Sequence, residues 1–411
     1  MRRASTLALL VSFGTATACD VDEPTAPAPE APRPAAEVVT ASLATVLGRT
    51  HVDEPGDVGL HTSLVSGSDG AQRVAYYDAT NERLKYAACF SNCTSAANWQ
   101  RGVIDPSARV GWFASLKVRS GVRHVVYYDA ANQNLKYARC ATDCLLQGSW
   151  AKGTVASAGS VGQSASLAID AQSGRLYVSY VDQTNSDLKY ATCLSDCTVA
   201  ANWQRATVDP SGVTVTGMVR TSIAVGPAGR RHVSYSASGK LKYATCLASC
   251  ADPANWERVA VDEASDAGYF SALAVDANGV RHVSYHDAGN SDLKYARCAS
   301  NCSNPSGWAR VAADESSFLG YYTSLAVGAD GKVHVSYHVS VAGRLKYASC
   351  AGSCLQATSW SRQTVDGGCR AIDGVCTEVG QFTSLKLGGG KVHISYFDVT
   401  HDNLKYAELT P

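Results

Sequence analysis

The stretch Ser271-Ala-Leu-Ala-Val-Asp-Ala-Asn-Gly-Val-Arg-His-Val-Ser-Tyr-His-Asp-Ala-Gly-Asn-Ser-Asp-Leu-Lys-Tyr-Ala-Arg-Cys298 decides the fold. Its apolar residues alternate through Ala272–Asp276, meet the turn pair Asn278-Gly279, and alternate again through His282–Asp287. A Gly-Asn-Ser turn then leads into Leu293–Cys298, and a fourth run starts at Trp308 and ends near Asp314. Period-two runs rich in valine and tyrosine, broken by Gly/Asn/Asp turns, are antiparallel strands joined by hairpins. No segment of the chain shows a helical period.

Working outward, the tetrapeptide Leu-Lys-Tyr-Ala recurs at Leu84, Leu135, Leu188, Leu241, Leu293, Leu345 and Leu404. Four short strands repeated at a spacing of about 50 residues describe one blade of a β-propeller, and seven copies describe seven blades. The seventh copy ends after its third strand, while Leu47–Asp53 near the N-terminus matches the fourth-strand run Trp203–Asp209. The expected architecture is an all-β, seven-bladed propeller of four-stranded antiparallel blades over residues 43–411, closed by the N-terminal strand completing the last blade. Closure removes the unpaired edges an open ring would expose.

Residues 1–18 read as an export signal: Arg2 and Arg3, the apolar run Leu7–Phe13, then Gly14-Thr-Ala-Thr-Ala18. Cys19 follows, as the lipidated cysteine of a bacterial lipoprotein would, although Ala16 stands where leucine is usual. Residues 19–42 carry Pro24, Pro27, Pro29, Pro32 and Pro34 and read as an extended tether. The chain is thus expected to be exported and anchored to a membrane by lipid only, with plain secretion as the alternative.

The 15 cysteines sort themselves. Cys89/Cys93, Cys140/Cys144, Cys193/Cys197, Cys246/Cys250, Cys298/Cys302 and Cys350/Cys354 share one spacing between the third and fourth strands, and Cys369 and Cys376 share the longest inter-blade loop. Seven disulfides leave Cys19 over. A structural zinc needs four ligands, and no pair has a second pair or a histidine at useful spacing, so disulfides are expected and no metal.

Features present in every blade are read as serving the blade. Lys85, Lys136, Lys189, Lys242, Lys294, Lys346 and Lys405 belong here, with the strand-ending Asp78, Asp129, Asp182, Asp287 and Asp398, which suit turns. His124, His232, His282, His334 and His393 open second strands and are spread round the ring. Trp-x-Arg or Trp-x-Lys pairs, from Trp99/Arg101 to Trp360/Arg362, put an indole beside a cation on one face. They are expected to stack at the blade rim, with a repeated sugar site as the alternative. What does not repeat is the approach to each first strand: Trp112-Phe113, Tyr269-Phe270, Tyr321-Tyr322 and Phe382, against Gln163-Ser164 and Val219-Arg220. If the first strand is innermost, Trp112, Phe113, Tyr269, Phe270, Tyr321, Tyr322 and Phe382 gather at one mouth of the channel. They are the candidate ligand site; the alternative is that they wedge between blades.

The run Ser271–Asp287 is similar to the opening of an NHL-type propeller repeat, in which an apolar strand ends in Asp before a Gly turn; that resemblance implies fold alone. The whole unit also resembles the repeats of exported bacterial propellers loosely described as sialidase-like. It departs from sialidases in blade number and in its Asp-box, since Ser66-Gly-Ser-Asp-Gly70 has other spacing and no following tryptophan. With 36 basic and 36 acidic residues and no basic tract, a nucleic-acid partner lacks its electrostatic footprint. The expected function is a non-catalytic binding or scaffold propeller for a glycan or protein ligand, without cofactor. A lectin with a defined site, or a sialidase-like glycan-acting enzyme, are the alternatives.

Overall fold

The computed structural model describes residues 43–210, 212–213, 219–264, 266–315, 319–369 and 376–411. The proposed signal segment, Cys19 and the tether lie outside the described residues. Seven antiparallel sheets follow one another along the chain, the first six each in the strand order of the sequence. The fifth blade, for example, contains Ala267–Val275, Arg281–Asp287, Asp292–Cys298 and Ala309–Asp314. The sixth carries the extra two-residue strand Cys376–Thr377. In the seventh blade the fourth strand is Val46–Asp53, paired with Asn403–Leu409 through Val46↔Leu409 and Thr50↔Tyr406. The ring closes as the repeat requires. The only helical elements among the described residues are short 3-10 turns, one before each of six fourth strands and one in a hairpin of the fourth blade.

The first strands contact one another in a closed ring and are therefore innermost. A strand at the inner edge has no further strand to satisfy its outward N–H groups, and serines do so instead. Ser63 accepts from the Leu116 N–H of the next blade at 2.9 Å, and Ser115 from Leu167 at 3.0 Å. Ser166, Ser222, Ser324 and Ser384 repeat the contact. The fifth blade has Ala272 in that place.

The tetrapeptide is an inter-blade hinge of contacts. Its leucine and tyrosine are buried, Leu84 and Tyr86 being 0% and 1% exposed, and they face the following blade. Tyr86 meets Trp150 edge-on at 5.6 Å, and the same pairing runs round to Trp99 on Tyr406 at 5.3 Å. Gly162, at φ 111°, shows how tightly the inner strand approaches: a Cβ there would lie 2.7 Å from the Leu135 Cα.

The tryptophan–arginine pairs differ from expectation. Each indole N–H bonds within its own blade, as Trp99 Nε1 donates to the Cys93 carbonyl at 2.8 Å and Trp203 Nε1 to that of Cys197 at 2.8 Å. Each arginine instead reaches back across the junction: Arg205 Nε donates to the Val155 carbonyl at 2.5 Å and Arg362 Nε to that of Ala313 at 2.6 Å. A buried N–H needs a partner more than a cation needs a ring, so neither a stacked rim nor a repeated sugar site forms. The lysines join a junction network. Tyr127 donates to Asp105 at 2.6 Å, and Lys136 reaches the same carboxylate at 3.1 Å. Burial pushes the Asp105 carboxyl up, but the Tyr127 hydroxyl and the Lys136 ammonium outweigh it and hold it below the usual range. The turn aspartates behave as read: Asp129 accepts from the backbone N–H groups of Ala131 and Asn132.

Six disulfides, Cys89–Cys93, Cys140–Cys144, Cys193–Cys197, Cys246–Cys250, Cys298–Cys302 and Cys350–Cys354, close their loops. The Cys369 and Cys376 backbones pair across a short ladder, and Cys376 is disulfide-bonded. Such a set points to folding in an oxidising environment. No helix of the described residues is long and apolar enough to cross a membrane.

Candidate functional site at the channel mouth

Where six of the seven inner strands begin, the pairing with the second strand breaks register, as between Trp112 and Ser115 in the second blade. One residue there takes a left-handed backbone: His61, Phe113, Ser164, Phe270, Tyr322 and Phe382 all have φ between 52° and 54°. For bulky side chains this is a rare and strained conformation, a kind that clusters at functional sites. The bulge re-aims the side chain, and these six residues, with Arg220 from the fourth blade, meet around one cavity of about 180 Å3.

The rings form a near-continuous arc. His61 lies 4.6 Å from Phe113 and 4.5 Å from Phe382, Phe382 lies 4.6 Å from Tyr322, and Tyr322 lies 4.6 Å from Phe270. Arg220 places its guanidinium 4.9 Å from the Phe113 ring, 5.7 Å from Phe270 and 5.9 Å from Tyr322. Those contacts are within cation–π range. Burial lowers the Arg220 pKa to about 10, which leaves it charged at neutral pH. Burial and the nearby Arg220 charge push His61 well below its usual value, so its imidazole is neutral. Among the described residues no carboxylate lines the cavity. Its floor is small and polar: Thr221 donates to the Ser164 carbonyl at 2.8 Å, and Thr62 to that of Phe382 at 3.1 Å.

Of the seven aromatics singled out in the sequence, Phe113, Phe270, Tyr322 and Phe382 line this cavity. Trp112, Tyr269 and Tyr321 precede the re-aimed residue and do not. Trp112 packs edge-on to Tyr77 at 5.9 Å, and the Tyr269 hydroxyl meets Asp266 at 3.4 Å. Tyr321 covers His286 with ring centroids 4.3 Å apart and lies 6.4 Å from His338. Both histidines are almost fully buried, and burial lowers both pKa values, His338 to about 4. Among the described residues neither ring nitrogen of His338 has a hydrogen-bond partner, and its Nε2 lies 3.8 Å from Glu378. The sequence reading overlooked His61 and Arg220; their alignment with Phe113 in the repeat was the available signal. The five second-strand histidines hold tyrosines of the tetrapeptide, as His124 Nδ1 does with the Tyr137 hydroxyl at 2.7 Å.

No protein-family model matches the chain, and no curated protein matches it in sequence. Solved structures do match in fold. An ulvan lyase, a polysaccharide lyase solved bound to -[GlcA(1-4)Rha3S]-, superposes with a TM-score of 0.54 at 11% identity, covering 88% of this chain and 94% of the lyase. The polysaccharide lyase Uly1 gives 0.51 at 10% identity over 87% and 90%. The hydrazine synthase of Kuenenia stuttgartiensis gives 0.55 at 9% over 87% and 97%. At such identities the likeness establishes the propeller fold alone. It also corrects the expectation of a protein without catalysis: folds of this geometry are borne by enzymes, so the repeat architecture is no ground for denying an activity.

Proposed function

We propose that this propeller acts on glycans, and that the channel mouth takes an acidic saccharide. The observation that carries the reading is Arg220, whose guanidinium is held among the three aromatic faces of Phe113, Phe270 and Tyr322 at the channel mouth. Aromatic faces offer stacking to the apolar faces of a sugar ring, and a guanidinium offers a planar pair of donors that fits a carboxylate or sulfate. The fold neighbour solved with a glucuronate- and sulfate-bearing saccharide supports the choice of ligand class. Calorimetry with uronate-containing and neutral oligosaccharides of equal length tests it. Acidic saccharides should bind, and Arg220→Gln should weaken them at least about tenfold, as expected for loss of a charged hydrogen-bond donor. Equal binding of neutral and acidic sugars overturns the choice of ligand.

A second reading, catalysis on that saccharide, is favoured by one feature. His338 is neutral, lacks hydrogen-bond partners at both nitrogens among the described residues, and lies behind Tyr321 and Tyr322 beside the mouth. A neutral imidazole can accept a proton, and a swing of Tyr321 that admits water would relieve the burial and raise its basicity toward the range a general base needs. Incubation with acidic polysaccharides, followed by analysis of chain length and product ends, tests this reading. Activity that survives His338→Ala unchanged would remove the histidine from it.

The six disulfides support a location outside the cytoplasm, and the apolar segment before Cys19 in the sequence supports that cysteine as a lipid anchor. Loss of detergent-phase partitioning in Cys19→Ala tests the anchor.

A further inference from the structure

The innermost strands carry a second feature that neither the aromatic mouth nor the blade junctions use. Four residues beyond Phe113 and Phe382, about 13 Å along a strand, stand Lys117 and Lys386. Leu116 and Leu385, just before them, are fully buried in inter-blade cores. Strand alternation therefore puts the lysines on the opposite face, where both are half-buried. At the same level the other five blades carry only Val65, Ala168, Ala224, Ala274 and Ala326. Two ammonium groups thus share a lumen otherwise walled by small apolar side chains, close to the mouth opposite the aromatic arc.

Neither lysine makes an ion pair or side-chain hydrogen bond among the described residues. Their cross-strand neighbours are His124 and His393. Burial lowers both imidazoles, His124 to about 4, and each is held by a tyrosine hydroxyl. The carboxylates at that end are engaged elsewhere: Asp69 with Arg73, Asp276 with His282, Glu408 with Lys391, and Asp170 and Asp330 with backbone N–H groups of their own turns. Arg119 adds another positive group there and donates to the Ala171 and Gln172 carbonyls. Burial holds Lys117 down at about 7, with the Lys386 charge adding to the effect, and burial lowers Lys386 as well.

We propose that Lys117 and Lys386 form an oxyanion site inside the channel, taking a phosphate, sulfate or carboxylate group that enters by the mouth opposite the aromatic arc. Two like charges in a partly dehydrated lumen repel each other, and an anion between them replaces that repulsion with two attractions. The alanines leave the space such a group needs. The site is distinct from Arg220 and stands or falls separately from the saccharide reading.

The test is calorimetric titration of the full chain with inorganic sulfate and with phosphate at fixed ionic strength, against Lys117→Met/Lys386→Met. At about pH 6.5 the native chain should bind either anion at least about tenfold more tightly than the double variant, as removal of two charged donors requires. Sulfate keeps its charge as pH rises, so its affinity should fall above about 7, where the vacant site's Lys117 loses its proton. Lys386→Arg keeps the charge and should keep binding. A uronate oligosaccharide that displaces sulfate in the native chain marks a glycan-borne anion; displacement by inorganic anions alone marks a free one. Equal sulfate affinity in the native chain and a folded double variant overturns the proposal, as does affinity that rises with pH. If the double variant does not fold, Lys117→Gln alone decides, by losing or keeping sulfate affinity.

Discussion

The Tyr76 hydroxyl of the first blade donates at 2.7 Å to Asp53, the last residue of the N-terminal strand that belongs to the seventh. Lys85 joins the same carboxylate, and Arg101 approaches it at 3.3 Å. The junction between the two ends of the chain is thus built like the other junctions, from a phenol, a carboxylate and an ammonium. Deleting residues through Asp53 should lower the melting temperature far more than deleting through residue 42, because only the former removes the Val46–Asp53 ladder on Asn403–Leu409 and the Asp53 carboxylate of the junction. Asp53→Asn should cost about 1.5–3 kcal/mol, the worth of hydrogen bonds to a charged group. Equal melting of the two truncations, followed by circular dichroism, would show that the N-terminal strand does not close the ring.

Acid should unfold the domain earlier than its carboxylates alone require. Burial lowers His124, His334 and His338 to about 4 and His232 to about 3. The unfolded chain takes up these protons near an ordinary histidine pKa of about 6.5, while the folded chain resists until about 4. Stability should therefore be intact above about 6.5 and fall as pH drops from there toward 4, by roughly 3 kcal/mol for each histidine lowered about 2.5 units. Urea midpoints between about pH 7.5 and 4 measure this. A flat profile above pH 5 would mean the histidines are hydrated.

Each four-residue-spaced disulfide is expected to contribute modestly. Closing so short a loop removes about 2 kcal/mol of unfolded-state entropy. Cys193→Ala/Cys197→Ala should lose about that much, judged by urea unfolding. A loss of twice that size would show that the bridge also fixes the Cys197 carbonyl on which Trp203 depends.

The architecture was legible because its signals repeat at the period of a strand. Leu84, Tyr86 and their equivalents alternate with lysine, and the unmatched strand Leu47–Asp53 announced the closure. The mouth was only half legible. Residues Trp112 and Phe113 look equivalent in sequence, and only the left-handed residue of the bulge decides that Phe113 faces the axis and Trp112 does not. Arg220 was passed over because the reading looked for aromatic rings, whereas the site is rings around a cation. The tryptophan–arginine pairs misled because a shared face was taken for a shared contact. Trp203 bonds within its blade and Arg205 across to the one before. The fourth-strand carboxylates, such as Asp105 and Asp262, recur in six of the seven blades, yet their partners are in the next repeat and no local pattern connects them.

One junction lacks its carboxylate, and that absence can be repaired. The fourth strand of the second blade ends in Ala156, where its counterparts carry Asp53, Asp105, Asp209, Asp262, Asp314 and Asp366. Lys189 accordingly turns to the Thr207 hydroxyl at 2.8 Å and to Asp182 at 3.6 Å, while burial keeps the Tyr180 phenol protonated. Ala156 is 7% exposed, so a carboxylate there would be partly dehydrated unless paired. The other junctions supply the pairing geometry, as between Tyr285, Lys294 and Asp262 at 2.7 and 3.2 Å. Ala156→Asp should therefore stabilise the domain by about 1 kcal/mol, the net worth of a new hydrogen bond after desolvation. The gain should vanish when Tyr180→Phe and Lys189→Met are added. If Ala156→Asp alone destabilises the protein in urea, the third blade has repacked around its missing carboxylate and no longer has room for one.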